Sequence, residues 1–313
     1  MKFIACQPAE TRFLWEVEVQ ATNLLRLGVS RDDIYYIFLT GTPRGNASIP
    51  NIIASKYNVH VYSYPDTRTP LEKSYIPTIK PYLLFRFFST HSDLLPHSFF
   101  YIDSDVVFRD IPNFNLTPVT AKRWYGSDCS SYLGADYINS KGLDYIPKMA
   151  NVVGVKTDTV NKLRTKSIGA QMIMRYPLAS YWEQSYKKAA LLYQYLSSVE
   201  GKYKEEYKRQ GRPAEYVIQK WCAQMWTDLW IPAEAGVDMV PLSELDFVWA
   251  TDPISKLNVD KIYHNAGVLE KDKNTKFYKG AYTIDSPIGR DFSYVDKNSA
   301  SYFYVTQINN VKK

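Results

Sequence analysis

The stretch Ser98-Phe-Phe-Tyr-Ile-Asp103-Ser-Asp105-Val-Val-Phe108 is an apolar run that presents two carboxylates one residue apart and then turns apolar again. Phe99 to Ile102 are aromatic or β-branched, which predicts a buried strand of a parallel sheet rather than a helix of the same composition. Carboxylates at the carboxyl end of such a strand stand where open α/β sheets bind their ligands. Left unneutralised at that depth they are costly. A divalent cation, Mg²⁺ or Mn²⁺, shared between Asp103, Asp105 and phosphate oxygens is the simplest neutraliser, because hard cations prefer oxygen ligands.

Upstream, strand and helix patterns alternate. Residues 2–6 read as a first strand, broken by Gln7-Pro-Ala-Glu, and a helical pattern follows with Phe13, Leu14, Val17, Ala21, Leu24 and Leu25 on one face. Residues 34–39 and 59–64 read as further strands, with a short helix at 51–56 between them. A helix with Pro81 in its first turn then leads into the opening strand and carries Lys80 and Arg86. Either cation could reach a phosphate, or both could be surface charges with buried stems. The alternation predicts a parallel sheet with right-handed crossovers. Gly41-x-x-x-Gly45 and the run from Gly126 to Gly134 match neither G-x-G-x-x-G nor a P-loop, which argues against dehydrogenase and P-loop readings.

Downstream, Trp124-Tyr-Gly-Ser-Asp128-Cys supplies small and polar residues suited to lining a sugar pocket, with Asp128 either in that pocket or capping a turn. Residues 149–155 read as one more strand. Gly169-Ala-Gln171 leads into another, where backbone and the Gln171 amide can approach a ligand closely. A long helical tract covers about 181–209 and a second covers 215–226. The second runs into Asp228, which stands among Trp221, Trp226 and Trp230. Burial among aromatics raises a carboxyl pKa and suits a general base; a structural Asp bonded to an indole N–H is the alternative. Of four histidines, His264 in Tyr-His-Asn-Ala-Gly267 has the best context for a ligand, and His60, His91 and His97 read as structural.

Composition narrows the function. A chain of 313 residues, 45% hydrophobic and 22% charged, is ordinary for a globular protein. The net charge of +6 without a dense basic tract argues against a nucleic-acid binder and suits an anionic ligand. Lys202, Lys204, Lys208, Arg209 and Arg212 form the most basic patch, where peripheral membrane contact is conceivable. Three cysteines without a C-x-x-C pair indicate neither a zinc site nor a disulfide framework. The absence of a signal-peptide pattern and of any apolar run of about 18 residues leads to the expectation of a soluble, cytoplasmic protein.

In order of elements over roughly residues 1–270, the chain resembles the GT-A glycosyltransferases. The resemblance rests on Asp103-Ser-Asp105 at the end of an apolar strand, Trp124-Tyr-Gly-Ser-Asp128, Gly169-Ala-Gln171 and His264-Asn-Ala-Gly267. Trp221-x-x-Gln224-Met-Trp226 is also similar to the Trp-x-x-Glu-Met segment of plant peptidyl-serine galactosyltransferases and hydroxyproline arabinosyltransferases. Here Gln224 replaces the Glu, whose role therefore does not carry over. The resemblance implies a Rossmann-like, mostly parallel sheet flanked by helices, in one domain of two abutting halves. Residues 1–115 would bind the nucleotide sugar, 116–270 the acceptor, and 271–313 would form a tail packing on the domain. It implies Mn²⁺ or Mg²⁺ on Asp103, Asp105 and His264, with Asp103, Lys80, Arg86 and Gln7 toward the nucleotide part of a donor, most commonly UDP-linked. Asp228, then Asp128, would be the base of an inverting enzyme, whereas in a retaining one Gln171 would lie near the donor's reacting face. Without a membrane anchor, the type implied is bacterial, phage or large-DNA-virus. The competing readings are a non-catalytic carbohydrate- or nucleotide-binding protein with a degenerate transferase fold, in which Asp103 and Asp105 only cap a turn, and a sugar nucleotidyltransferase. The latter normally has a glycine-rich phosphate loop after its first strand, where this chain has Gln7-Pro-Ala-Glu.

Overall fold

A computed structural model describes residues 1–116, 118–142, 144–213 and 217–312. Among the described residues ten strands fall into two sheets. The larger is built from β1 (Lys2–Pro8), β2 (Ile34–Thr40), β3 (His60–Pro65), β4 (Ser98–Tyr101), β6 (Arg123–Asp128), β7 (Ile168–Arg175) and β8 (Asp238–Pro241), in the order β3-β2-β1-β4-β7-β6-β8. The smaller joins β5 (Val106–Phe108), β9 (Phe247–Trp249) and β10 (Ile262–His264), in the order β5-β10-β9. The fold is the expected α/β class, a mostly parallel central sheet flanked by helices.

Burial explains the Ser98–Tyr101 strand. Phe99, Phe100 and Tyr101 are at most 1% exposed, and each contributes about 2–3 kcal/mol by leaving water. A one-residue slip would exchange the faces against which these side chains pack. The end of β4, and with it the acidic turn, is therefore pinned in place. Directly after that turn the chain leaves the large sheet, and β5 begins the small one. There β10 pairs antiparallel with β5, setting His264 opposite Val106.

The Thr11–Arg26 helix lies between two cores. Val17, Ala21 and Leu24 belong to the main cluster. Trp15 and Val19 belong to a second cluster, with Val107 of β5, Tyr263 of β10 and Phe277, Tyr304 and Ile308 from the end of the chain. Phe292 and Val295 share this second core, as do residues of the helix Ser301–Asn309.

Three local expectations are corrected. Residues 149–155 do not form a strand: Tyr145–Val153 is a helix that buries Tyr145, Ile146, Met149, Ala150 and Val153 and ends at Gly154 with φ +85°. An apolar run this short fits both periods, and its burial at i, i+1, i+4, i+5 and i+8 selects the helical one. The segment beginning at Trp124 is not part of the lining of the cavity that Asp103 reaches. It is β6, inside the sheet, with Trp124 fully buried and its Nε1 donating to the Arg175 carbonyl at 3.0 Å. Nor is the sheet parallel throughout, because β7 runs antiparallel to both β4 and β6.

The long helix is present as Ala179–Arg209. The expected helix at 215–226 is met later in the chain, at Ala223–Glu234 after a 3₁₀ turn Lys220–Cys222, and Glu215 lies outside the described residues. No helix among the described residues is long and apolar enough to cross a membrane. In the basic patch, Lys204 pairs with Glu200 and Lys208 with Glu205, both at 2.8 Å, and Arg212 stacks on Tyr207.

Candidate metal centre and adjoining cavity

Asp103 and Asp105 leave the end of β4 on a tight turn in which the Val106 amide donates to the Asp103 carbonyl at 3.1 Å. The ladder between β5 and β10 then brings His264 back over them. Its Nε2 lies 3.3 Å from Asp105 Oδ1 and 3.7 Å from Asp103 Oδ2, and one ligand atom from each of the three residues falls within 4.8 Å of the others. The imidazole is fixed by stacking against Trp249, at 6.1 Å and 9° between planes, with Phe247 tilted beside it. Asp105 is buried, whereas the side chain of Asp103 is 40% exposed, so the cluster opens on the Asp103 side.

Charge is balanced from an unexpected direction. Lys279, in the C-terminal segment, donates to Asp105 Oδ2. Burial acts to raise the Asp105 pKa, but the Lys279 ammonium and His264 outweigh it and hold the carboxyl well below the usual range. For His264, burial acts to lower the pKa, while Asp105 and then Asp103 reverse the direction and raise it. Asp103 is anchored separately, accepting from Tyr101 Oη at 2.7 Å.

The donor set of two carboxylate oxygens and one imidazole nitrogen fits a hard divalent cation. His264 Nδ1, buried without a hydrogen-bond partner, leaves Nε2 the nitrogen directed at the carboxylates. Asp103, Asp105 and His264, all proposed from sequence, are therefore brought together. Lys279 was missed, and nothing in its Tyr-Lys-Gly setting marks it.

Beside this cluster is a cavity of about 280 Å³ whose lining includes Cys6, Pro8, Phe13, Lys80, Tyr101 and Asp103. Lys80 Nζ sits 4.1 Å from the centre of the Tyr101 ring and 3.3 Å from Asp228 Oδ2. Asp228 is 2% exposed and also accepts from Ser185 and Gln224. Burial pushes its pKa up, against the lowering effect of Lys80. Asp228 lies behind the cavity wall, and Gln224 forms part of the lining. A larger depression of about 700 Å³, lined by Lys156, Glu234, Lys166 and Asp238, lies away from these groups and is edged by ion pairs.

The remaining expected residues stand elsewhere. Arg86 donates to Tyr82 Oη at 2.8 Å and lies over the Tyr64 ring, away from the cavity lining. Gln7 is 1% exposed with both amide atoms unpartnered, while its neighbours Cys6 and Pro8 reach the cavity. Asp128 accepts from the Ser130 amide at 2.8 Å and so caps a turn at the end of β6. Gln171 is fully buried and accepts from Ser127 Oγ at 3.1 Å, while Ala170, held at φ +52°, lines the cavity in its place.

No protein-family model matches the chain, and no curated protein does so either. Among solved structures the chain is similar to the apo form of the bifunctional glycosyltransferase WbbM, at 9% identity and a TM-score of 0.49, with 99% of this chain spanning 50% of that one. It is similar to the galactosyltransferase LgtC in complex with donor and acceptor sugar analogues, at 11% identity and a TM-score of 0.47, covering 99% of this chain and 96% of that one. A third is apo mouse xyloside xylosyltransferase 1, at 10% identity and a TM-score of 0.40, covering 84% of this chain and 96% of that one.

Proposed function

We propose that this protein transfers a sugar from a nucleoside diphosphate sugar, a UDP-linked donor, to a hydroxyl of a glycan or glycoconjugate, with Mn²⁺ or Mg²⁺ as the resident cation. One observation carries the reading: two carboxylates and an imidazole from distant parts of the chain converge beside a cavity whose wall presents Lys80. Asp103, Asp105 and His264 would hold the cation. Bound there, it would neutralise the charge that builds on a departing diphosphate. Lys80 adds a positive charge on the cavity side, and Lys279 supplies a second once Asp105 engages the cation.

Asp228 admits two roles. Its raised pKa suits a proton acceptor, whereas its pairing with Lys80 and its place behind the cavity wall support a positioning role for that lysine. Asp228→Asn separates them. Lost turnover with unchanged donor affinity makes it the base, and weakened donor affinity with turnover retained makes it the residue that orients Lys80. We favour the second outcome.

The whole reading is tested by titrating nucleoside diphosphate sugars into the protein with and without Mn²⁺, and by following donor hydrolysis in wild type and Asp105→Ala. Metal-dependent binding and hydrolysis, both lost in the variant, are expected. If no donor binds with metal, or if the variant binds and turns over as well as wild type, the proposal is wrong.

A further inference from the structure

The Thr11–Arg26 helix carries Glu16, Gln20 and Asn23 at spacings of four and three residues, so they form one stripe along it. They are 1%, 0% and 4% exposed. Three enclosed polar side chains on a helix with apolar packing on two sides are unfavourable unless each is hydrogen-bonded. For all three, partners lie in one short stretch, from Asp103 to Phe108. Glu16 Oε2 accepts from Ser104 Oγ at 2.7 Å. Gln20 Nε2 donates to the carbonyls of Asp103 at 2.7 Å and Val106 at 2.9 Å. Asn23 Nδ2 donates to the Phe108 carbonyl at 2.9 Å, and its Oδ1 accepts from the Phe108 amide at 2.8 Å.

These contacts bear on the whole ligand set. Gln20 spans both ends of the acidic turn and fixes its breadth. Glu16 holds the residue between the two carboxylates. Asn23 pairs with Phe108 as a neighbouring strand would, at the end of β5, and β5 sets His264 opposite Val106. One helix face thus fixes the backbone under both carboxylates and, through the β5–β10 ladder, the strand that delivers the imidazole. We infer that Gln20, flanked by Glu16 and Asn23, is a positioning residue for the cation site: it touches no ligand atom and acts by holding the acidic turn at the shape the cation requires. The inference rests on Asp103, Asp105 and His264 being cation ligands, as proposed above.

The test uses Mn²⁺ alone as the probe, by calorimetry on the full chain, with urea unfolding in parallel. Gln20→Met keeps the length of the side chain and removes the donor. Leu24→Ala, on the same helix but in the apolar core, is the control for general loosening. Outer partners of metal ligands typically change affinity by about 10-fold or more. Gln20→Met should weaken Mn²⁺ binding by that factor, while Leu24→Ala lowers stability and binds Mn²⁺ as wild type does. Asn23→Leu, which keeps the side chain's size and removes its bonds to Phe108 and to Gln307 Oε1, should weaken binding to a smaller extent and serves if Gln20→Met does not fold. Wild-type affinity in these polar variants, or an equal loss in Leu24→Ala, overturns the inference alone. If wild type takes up no Mn²⁺, or Asp105→Asn binds it equally well, the cation reading itself falls and takes the inference with it.

Discussion

Asp105 stands 4% exposed between an ammonium and an imidazole, so its surroundings bear on the stability of the protein and, on the proposed reading, on the ease of cation entry. Lys279→Met leaves that carboxylate without its strongest counter-charge. Breaking a buried pair costs about 3–5 kcal/mol, and because the Lys279 side chain is 27% exposed a loss of about 2 kcal/mol is expected. Urea unfolding in the presence of a chelator measures it. The same variant should bind Mn²⁺ more tightly, since no ammonium has to leave, and unchanged stability together with unchanged affinity would remove Lys279 from the site. His264 sets a pH dependence. A cation requires the neutral imidazole, and the net effect of Asp105 and Asp103 is to raise the histidine's pKa, so protons compete from a higher pH than for a free histidine. Mn²⁺ affinity should therefore fall on going from about pH 8 to about pH 6. A flat profile in a calorimetric titration would argue against His264 as a ligand. Asp103, Asp105 and His264 were legible from sequence as candidates because the capacity to ligate is a property of the residue type, and the structure brings the three together. Lys279 was not, because a lone lysine in a polar segment looks the same whether it faces water or a carboxylate.

At the scale of elements, β6 and β7 meet so closely that Gly126 admits no side chain. A Cβ there would lie 2.8 Å from Ile168 Cβ and 2.9 Å from the Gln171 carbonyl oxygen, where the register also shifts. Gly126→Ala should cost about 1–3 kcal/mol, the usual range for overpacking, and wild-type stability in thermal or urea unfolding would show the strands are not held so tightly. The same strands show where pattern reading stopped. Residues 168–175 and 124–127 are almost wholly buried, so neither alternation nor polarity reveals strand direction, and the reversal of β7 is invisible in sequence. Residues 149–155 carry a related ambiguity, since a short apolar run satisfies either period, and only packing selects the helix. By contrast β1, β2 and the Thr11–Arg26 helix were placed to within a residue or two, because their apolar patterns are long and bounded by clear breaks.

For the molecule as a whole, the second core joins the two ends of the chain. Tyr304, Val305 and Ile308 of the final helix are at most 1% exposed and pack in one cluster with Trp15 and with Tyr263 of β10. Removing the chain from Lys297 onward should therefore cost on the order of 5 kcal/mol, a large share of the stability of a typical domain, and should loosen β10 enough to weaken Mn²⁺ binding. Urea unfolding and metal titration of the truncated chain check both, and undiminished binding would show that the small sheet stands without its cover. The amino-acid sequence by itself determined the strand under the acidic pair, the alternation that builds an α/β sheet and the residue types able to hold a cation, because burial periodicity and ligand chemistry are local properties. Only the tertiary structure decided that β5 crosses into a second sheet, that the C-terminal segment returns Lys279 to Asp105, and that one helix face grips the acidic turn. Each depends on which distant segments share a core, a consequence of packing the whole chain at once.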